Sequence, residues 1–169
     1  MNAPPSSLPS FFLKPGELFV AERPCLVSTL LGSCVAVTMC GCGVGAICHA
    51  LLPACRGDGT DCPERFRHVE CAVAGMIEAF GRRGVPAGEI EAKIFGGAEM
   101  FRAGRGESVG RQNIDRAGEM LAAAGIRVAA ADVGGARGRK ILFCPHTGEV
   151  YLRRLNGMTH RQAWNGAAP

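Results

Sequence analysis

The sequence predicts a mixed α+β fold (α/β in the broad sense): a single domain of layered β-sheet packed with two main helices. Three observations carry that class. Short strand-like runs crowd residues 26–49, further strand runs fill the last third of the chain, and two helical stripes interrupt them. With 169 residues and 47% hydrophobic content, the chain has the length and apolar surface for one core.

Residues 1–10 hold three prolines and three serines. Residues 1–14 are therefore read as a mobile tail, 15–157 as the domain, and 158–169 as a second tail. Strands are expected at 26–31, 34–39 and 44–49. In the second of these, alternation puts Val35, Val37 and Met39 on one face and Cys34, Ala36 and Thr38 on the other. Cys34 thus lies on the smaller, less apolar face. Cys40-Gly41-Cys42 reads as a short hairpin connection, and residues 54–66, rich in Gly, Asp, Pro and Arg, as an exposed loop. Val69, Ala72, Val73, Met76, Ile77 and Phe80 then recur at helical spacing, with Gly81 and Gly84 as stops. Residues 91–95 read as a strand ending in Gly96-Gly97, and Ile114, Ala117, Leu121 and Ala124 mark a second helix that ends at Gly125. Strand runs at 126–133, 139–144 and 149–155 close the fold, the last two joined through His146-Thr147-Gly148 as a hairpin.

The start of the chain lacks the basic segment, apolar stretch and cleavage site of an export signal, and no apolar run is long enough to span a bilayer. A cytoplasmic protein with no membrane insertion is expected, and most of its nine cysteines are then reduced thiols that pack as small hydrophobes. The net charge is +4. Only three of the basic residues are lysines (Lys14, Lys93, Lys140), no basic run is long, and aromatic content is 6%. That pattern argues against nucleic-acid binding and suits an acidic protein partner.

Cys34 stands out among the thiols. It follows Leu30-Leu31-Gly32-Ser33, where a strand runs into a glycine that permits a sharp turn, and such a turn presents a side chain. Backbone amides beside such a turn can meet an oxyanion, an interaction worth about 3–4 kcal/mol per donor in hydrolases, and the Ser33 and Cys34 amides are the candidates. A thiol of ordinary pKa is only about 3% ionised at pH 7, so a cysteine nucleophile needs a base. Of His49, His68, His146 and His160, His49 ends an apolar strand able to pair beside that of Cys34. A hydroxyl would orient the imidazole, and Ser28 and Thr29 are the candidates; alternation lets only one face the site.

Metal binding is the rival use of these thiols. Cys40 and Cys42 with Cys48 and His49, or His68 and Cys71 with Cys62, offer soft ligands, but no two cysteines have the two-residue spacing of a zinc ribbon. No metal and no organic cofactor is expected.

Taken together, Leu31-Gly32-Ser33-Cys34-Val35-Ala36-Val37, His49-Ala50-Leu51-Leu52-Pro53 and Lys93-Ile94-Phe95-Gly96-Gly97-Ala98-Glu99-Met100-Phe101 strongly resemble the CheD family of chemoreceptor glutamine deamidases. Val109-Gly110-Arg111-Gln112-Asn113, and Asp132-Val133-Gly134-Gly135 with Gly138-Arg139-Lys140, extend the likeness to residues 15–157. The resemblance implies a fold similar to the deamidase domain of the cytotoxic necrotizing factor toxins. It implies a triad in which Cys34 is the nucleophile, His49 the base and Ser28, six residues before the cysteine, the orienting hydroxyl. Gly32, Ser33 and Thr29 remain as oxyanion or substrate-binding candidates. It further implies conversion of glutamines in the cytoplasmic helical region of chemotaxis receptors to glutamate, hydrolysis of receptor glutamate methyl esters, and a second role as a regulatory partner of a CheC-type phosphatase.

Overall fold

The computed structural model describes residues 7–55, 64–99 and 106–155. Nine strands and two α-helices are found among them: β1 Ser10–Phe12, β2 Leu18–Ala21, β3 Leu26–Leu31, β4 Val35–Gly41, β5 Val44–Ala50, α1 Val69–Gly81, β6 Glu91–Gly96, α2 Val109–Ala123, β7 Arg127–Val133, β8 Arg139–Cys144 and β9 Glu149–Arg154. The strands form a four-stranded sheet in the order β1-β3-β8-β9 and a five-stranded sheet in the order β2-β5-β4-β6-β7. The expected mixed α+β class holds, in three layers.

Side-chain alternation builds those layers. Val35, Val37 and Met39 on β4, with Ala46 and Cys48 on β5, pack against Val69, Ala72, Val73, Met76 and Phe80 of α1 and Ala117 and Leu121 of α2. The opposite face, carrying Ala36, Ile47 and Phe95, packs on Val27, Leu31, Ile141 and Phe143 of the four-stranded sheet, with Cys34 against the same cluster. Being sandwiched, β5 is buried at every position. Near one edge of the sandwich, Asp132 of β7 binds Arg139 of β8 at 2.6 Å and Arg154 of β9 at 2.8 Å, tying one sheet to the other. Arg139 is buried and also donates to the carbonyls of Arg137 and Gly134, so three of its donors are matched.

The expected elements are present with ends shifted by a few residues. The hairpin from β4 to β5 turns on Cys42 (φ 49°) and Gly43 (φ 78°), the two left-handed residues of a tight type I′ turn. The second helix begins earlier than its apolar stripe, at Val109, because Ser108 caps it by accepting from the Arg111 amide.

The start of the chain requires a correction. Residues 10–13 belong to the fold, since β1 pairs in parallel with β3 and the Leu13 amide donates to the Ser28 carbonyl at 2.9 Å. Backbone pairing holds this strand, and its side chains are exposed, so no alternation marked it in the sequence. β2, which pairs with β5, was likewise not expected. The C-terminal tail lies outside the described residues.

Candidate active site

Cys34 occupies the turn from β3 into β4, half-buried, behind an exposed Ser33. The three carbonyls of this turn are each held. Gly32 O accepts from the Ala98 amide and Cys34 O from the Gly97 amide, both at 2.8 Å, and Ser33 O accepts from Asn113 Nδ2 at 3.2 Å. Gly96 and Gly97 make this possible. Gly96 has a φ of +103°, and a Cβ there would stand 2.2 Å from the Cys34 oxygen. A Cβ on Gly97 would meet the Gly110 carbonyl at 2.8 Å, so the end of β6 touches both the cysteine turn and the first turn of α2 without side chains. Burial raises the Cys34 pKa, against a smaller lowering by its own backbone amide. The resting sulfur is therefore a thiol.

His49 lies opposite Ala36 in the β4–β5 ladder. Cys34 is two residues before Ala36 and shares its face, so thiol and imidazole look into the same seam between the sheets. The ring is 2% exposed. Its Nδ1 is 2.8 Å from Thr29 Oγ1, and Thr29 Oγ1 donates to the Leu13 carbonyl at 2.8 Å. A hydroxyl has one proton, and Leu13 O can only accept. Thr29 therefore gives its proton to Leu13 and accepts one from His49 Nδ1–H, which assigns the tautomer from the network and leaves the Nε2 lone pair unprotonated. Nε2 is buried and has no hydrogen-bond partner among the described residues, the Cys34 thiol included. Burial pulls the His49 pKa down to about 4, opposed by the Leu13 carbonyl and the Glu17 charge. At neutral pH the pair is thus a thiol and a neutral imidazole with a lone pair ready to take a proton.

The end of the segment read as a tail, with the residues just after it, builds this site. Leu13 supplies the carbonyl at the end of the relay, the Gly16 amide donates to His49 O at 2.8 Å, and the His49 amide donates to Glu17 O at 3.0 Å. Residues 13–17 therefore fix the ring from the side opposite β4.

Ser28 does not meet the imidazole. On β3 the inward positions are Val27, Thr29 and Leu31, whereas Ser28 and Leu30 point to the outer face of the four-stranded sheet. Ser28 Oγ reaches the Phe11 carbonyl at 3.4 Å instead. The hydroxyl on His49 belongs to Thr29, five residues before Cys34. Thr29 is wholly buried with its hydroxyl engaged, which also removes it from the oxyanion and substrate-binding candidates. Gly32 and Ser33 do flank the thiol.

Of the other histidines, His146 is exposed in the β8–β9 turn, His68 precedes α1, and His160 lies outside the described residues, as does Cys62. Asn113 was not singled out by its chemistry, yet it is fully buried and bridges the Ser33 carbonyl and, at 2.9 Å, the Leu51 carbonyl two residues beyond His49. One amide group thereby spaces the thiol turn from the imidazole strand. Its only signal in sequence was its place in the Val109–Asn113 motif.

Comparison with known proteins agrees with these motifs. The family model described as CheD chemotactic sensory transduction matches residues 51–154. The chain belongs to the CheD family. Its relatives include "Probable chemoreceptor glutamine deamidase CheD 2" of Geobacter sulfurreducens, 48% identical over 159 residues that cover 92% of this chain and 96% of that one. "Probable chemoreceptor glutamine deamidase CheD" of Maridesulfovibrio salexigens is 38% identical, over 89% and 94% of the two chains. "Chemoreceptor glutamine deamidase CheD" of Thermotoga maritima is 37% identical, over 84% and 90%. Among solved structures, the hypothetical protein YfiH of Bacillus licheniformis superposes with a TM-score of 0.50 at 14% identity, over 71% of this CheD-family chain and 51% of that one. This last likeness concerns the fold alone. No helix among the described residues is long and apolar enough to cross a membrane.

Proposed function

We propose that this chain is a cytoplasmic, cysteine-dependent amidohydrolase that converts glutamine side chains in the helical cytoplasmic region of chemotaxis receptors to glutamate. The reading rests on the names of its CheD relatives for the substrate. For the chemistry, one observation carries it: the Thr29–His49 hydrogen bond leaves Nε2 bare in the seam that Cys34 faces. Substrate entry draws thiol and ring into contact, as catalytic hydrogen bonds commonly tighten only once substrate is bound.

His49 Nε2 takes the Cys34 proton while the sulfur bonds to the carboxamide carbon, and the oxyanion is met by amides of the Gly32-Ser33-Cys34 turn. The imidazolium then protonates the nitrogen, the C–N bond breaks, and ammonia leaves a thioester. Water, deprotonated by the same Nε2, attacks that thioester; the C–S bond breaks, glutamate departs and the thiol is restored. Thr29 accepts Nδ1–H throughout and steadies the ring when it is charged. A glutamate methyl ester would react by the same steps with methanol as the leaving group. Docking on a CheC-type phosphatase rests on the family likeness, and a pull-down that survives Cys34→Ala tests it.

Mass spectrometry of receptor cytoplasmic fragments incubated with the protein tests the main reading. Glutamine-to-glutamate conversion with ammonia release is expected from the wild type and none from Cys34→Ala. Receptor fragments left unchanged by the wild type would overturn it.

A further inference from the structure

We propose a second, separate site: a zinc ion held by Cys55, His68 and Cys71 where the chain leaves β5 and enters α1. The side-chain donor atoms of these three residues all lie within 4.8 Å of one another. In a tetrahedral zinc site with Zn–S near 2.3 Å, two sulfurs stand about 3.8 Å apart, so small rotamer changes at three side chains close the set. The sequence offered His68 and Cys71 with Cys62, which lies outside the described residues; the structure places Cys55, from a separate segment, beside them.

Backbone pairing brings those segments together. The Leu51 and Leu52 amides both donate to Arg67 O, at 2.8 and 3.0 Å, the Val69 amide to Leu52 O at 2.8 Å and the Glu70 amide to Pro53 O at 3.2 Å. Leu52 and His68 form a parallel bridge between them. Cys55 follows three residues after Leu52, while His68 and Cys71 are three apart at the start of α1 and share a face. His68 occupies the cap position of that helix, yet its side chain makes no capping hydrogen bond to it. The cap of α1 is thus given to a residue whose imidazole sits with two sulfurs instead of closing the helix end.

Two thiols and an imidazole are a soft donor set that favours zinc over oxygen-preferring cations. Binding forms two Zn–S bonds and one Zn–N bond, releases the two thiol protons to solvent and leaves the metal's charge and oxidation state unchanged; water or another donor takes the fourth position. The ion would fasten residue 55 to residues 68 and 71. It would also stiffen the segment whose Leu51 carbonyl binds Asn113, next to the thiol turn. None of this depends on the deamidase reading.

Elemental analysis of the full chain, purified under reducing conditions without chelator, tests the proposal. About one zinc per chain is expected, with most of it lost in Cys55→Ser and in His68→Ala and all of it kept in Cys42→Ser, an exposed thiol elsewhere. Cobalt added to metal-free protein should give tetrahedral d–d bands with thiolate charge transfer, both largely lost in Cys55→Ser. Cys71 is buried, so half-buried Cys55 keeps the test decisive should Cys71→Ser fail to fold. Wild type that carries no zinc and gives no cobalt bands would overturn the site, as would zinc retained in Cys55→Ser and His68→Ala, or a Cys55–Cys71 disulfide mapped in place of the metal.

Discussion

Two groupings of cysteine and histidine flank the end of β5, and they differ in what surrounds them. In the first, His49 is closed inside the sandwich, its Nδ1 committed to Thr29 and its Nε2 bare, with one half-buried thiol on the same face. In the second, His68 sits at the cap of α1 with two sulfurs at hand. The same residue types suit base catalysis in one place and metal ligation in the other. What separates them is the number of converging sulfur and nitrogen donors.

Substitutions can break that contrast. The largest effect is expected for Cys34→Ala, which should lower glutamate formation by at least about 10³-fold because the covalent step is lost. Zinc content should stay at the wild-type level, and Cys42→Ser should leave turnover unchanged. Rates on a receptor fragment, measured beside elemental analysis, check both.

His49→Gln should cost about 10²- to 10⁴-fold in kcat/KM, the usual contribution of a general base. The pH dependence sharpens this further. Because the buried ring has a pKa near 4 against 6.5 for an ordinary histidine, the acid limb of the wild-type profile should lie near 4. Between those two values the unfolded chain binds the proton that the folded chain refuses, so stability should fall as pH drops from 6.5 towards 4. Urea midpoints across that range should show the fall in the wild type and less of it in His49→Gln.

Thr29→Val should come next. It strands a buried Nδ1–H and the Leu13 carbonyl, costing about 1–3 kcal/mol for an unsatisfied group, and frees the ring, with a kcat loss of roughly 10- to 100-fold. Thr29→Ser should recover most of the activity, a rescue that a purely packing role would not give. Ser28→Ala, on the outer face, should change stability by less than about 0.5 kcal/mol and leave kcat alone. Asn113→Leu should have little effect on chemistry and read mainly in melting temperature, through the Ser33 and Leu51 carbonyls it leaves unpartnered: about 2–4 °C per kcal/mol for a chain of this length.

Much of this was legible in the sequence, for identifiable reasons. The alternation around Cys34 put the thiol on the same face as Ala36, and that face is the one turned away from α1 and α2. The stripes of α1 and α2 and the hairpins were equally plain. Ser28 was preferred by counting back from Cys34, whereas the sheet selects by face: Val27 and Leu31 are the large apolar neighbours that bury Thr29 with them. The role of Leu13 was invisible because a backbone carbonyl has no residue signature, and β1 is held by ladder hydrogen bonds under exposed side chains. His68 and Cys71 were visible as a short pair of soft ligands, but the addition of Cys55 depends on a bridge between separate segments that no local motif records.

Alkylation coupled to activity tests the central claim most directly. Wild-type protein would be treated with graded iodoacetamide, each cysteine's modification quantified by peptide mapping, and glutamate formation on a receptor fragment measured in the same samples. Residual activity should fall in proportion to the unmodified fraction of Cys34 and be indifferent to the modification of exposed Cys42. Full turnover from protein in which Cys34 is completely alkylated would contradict the assignment of Cys34 as the nucleophile.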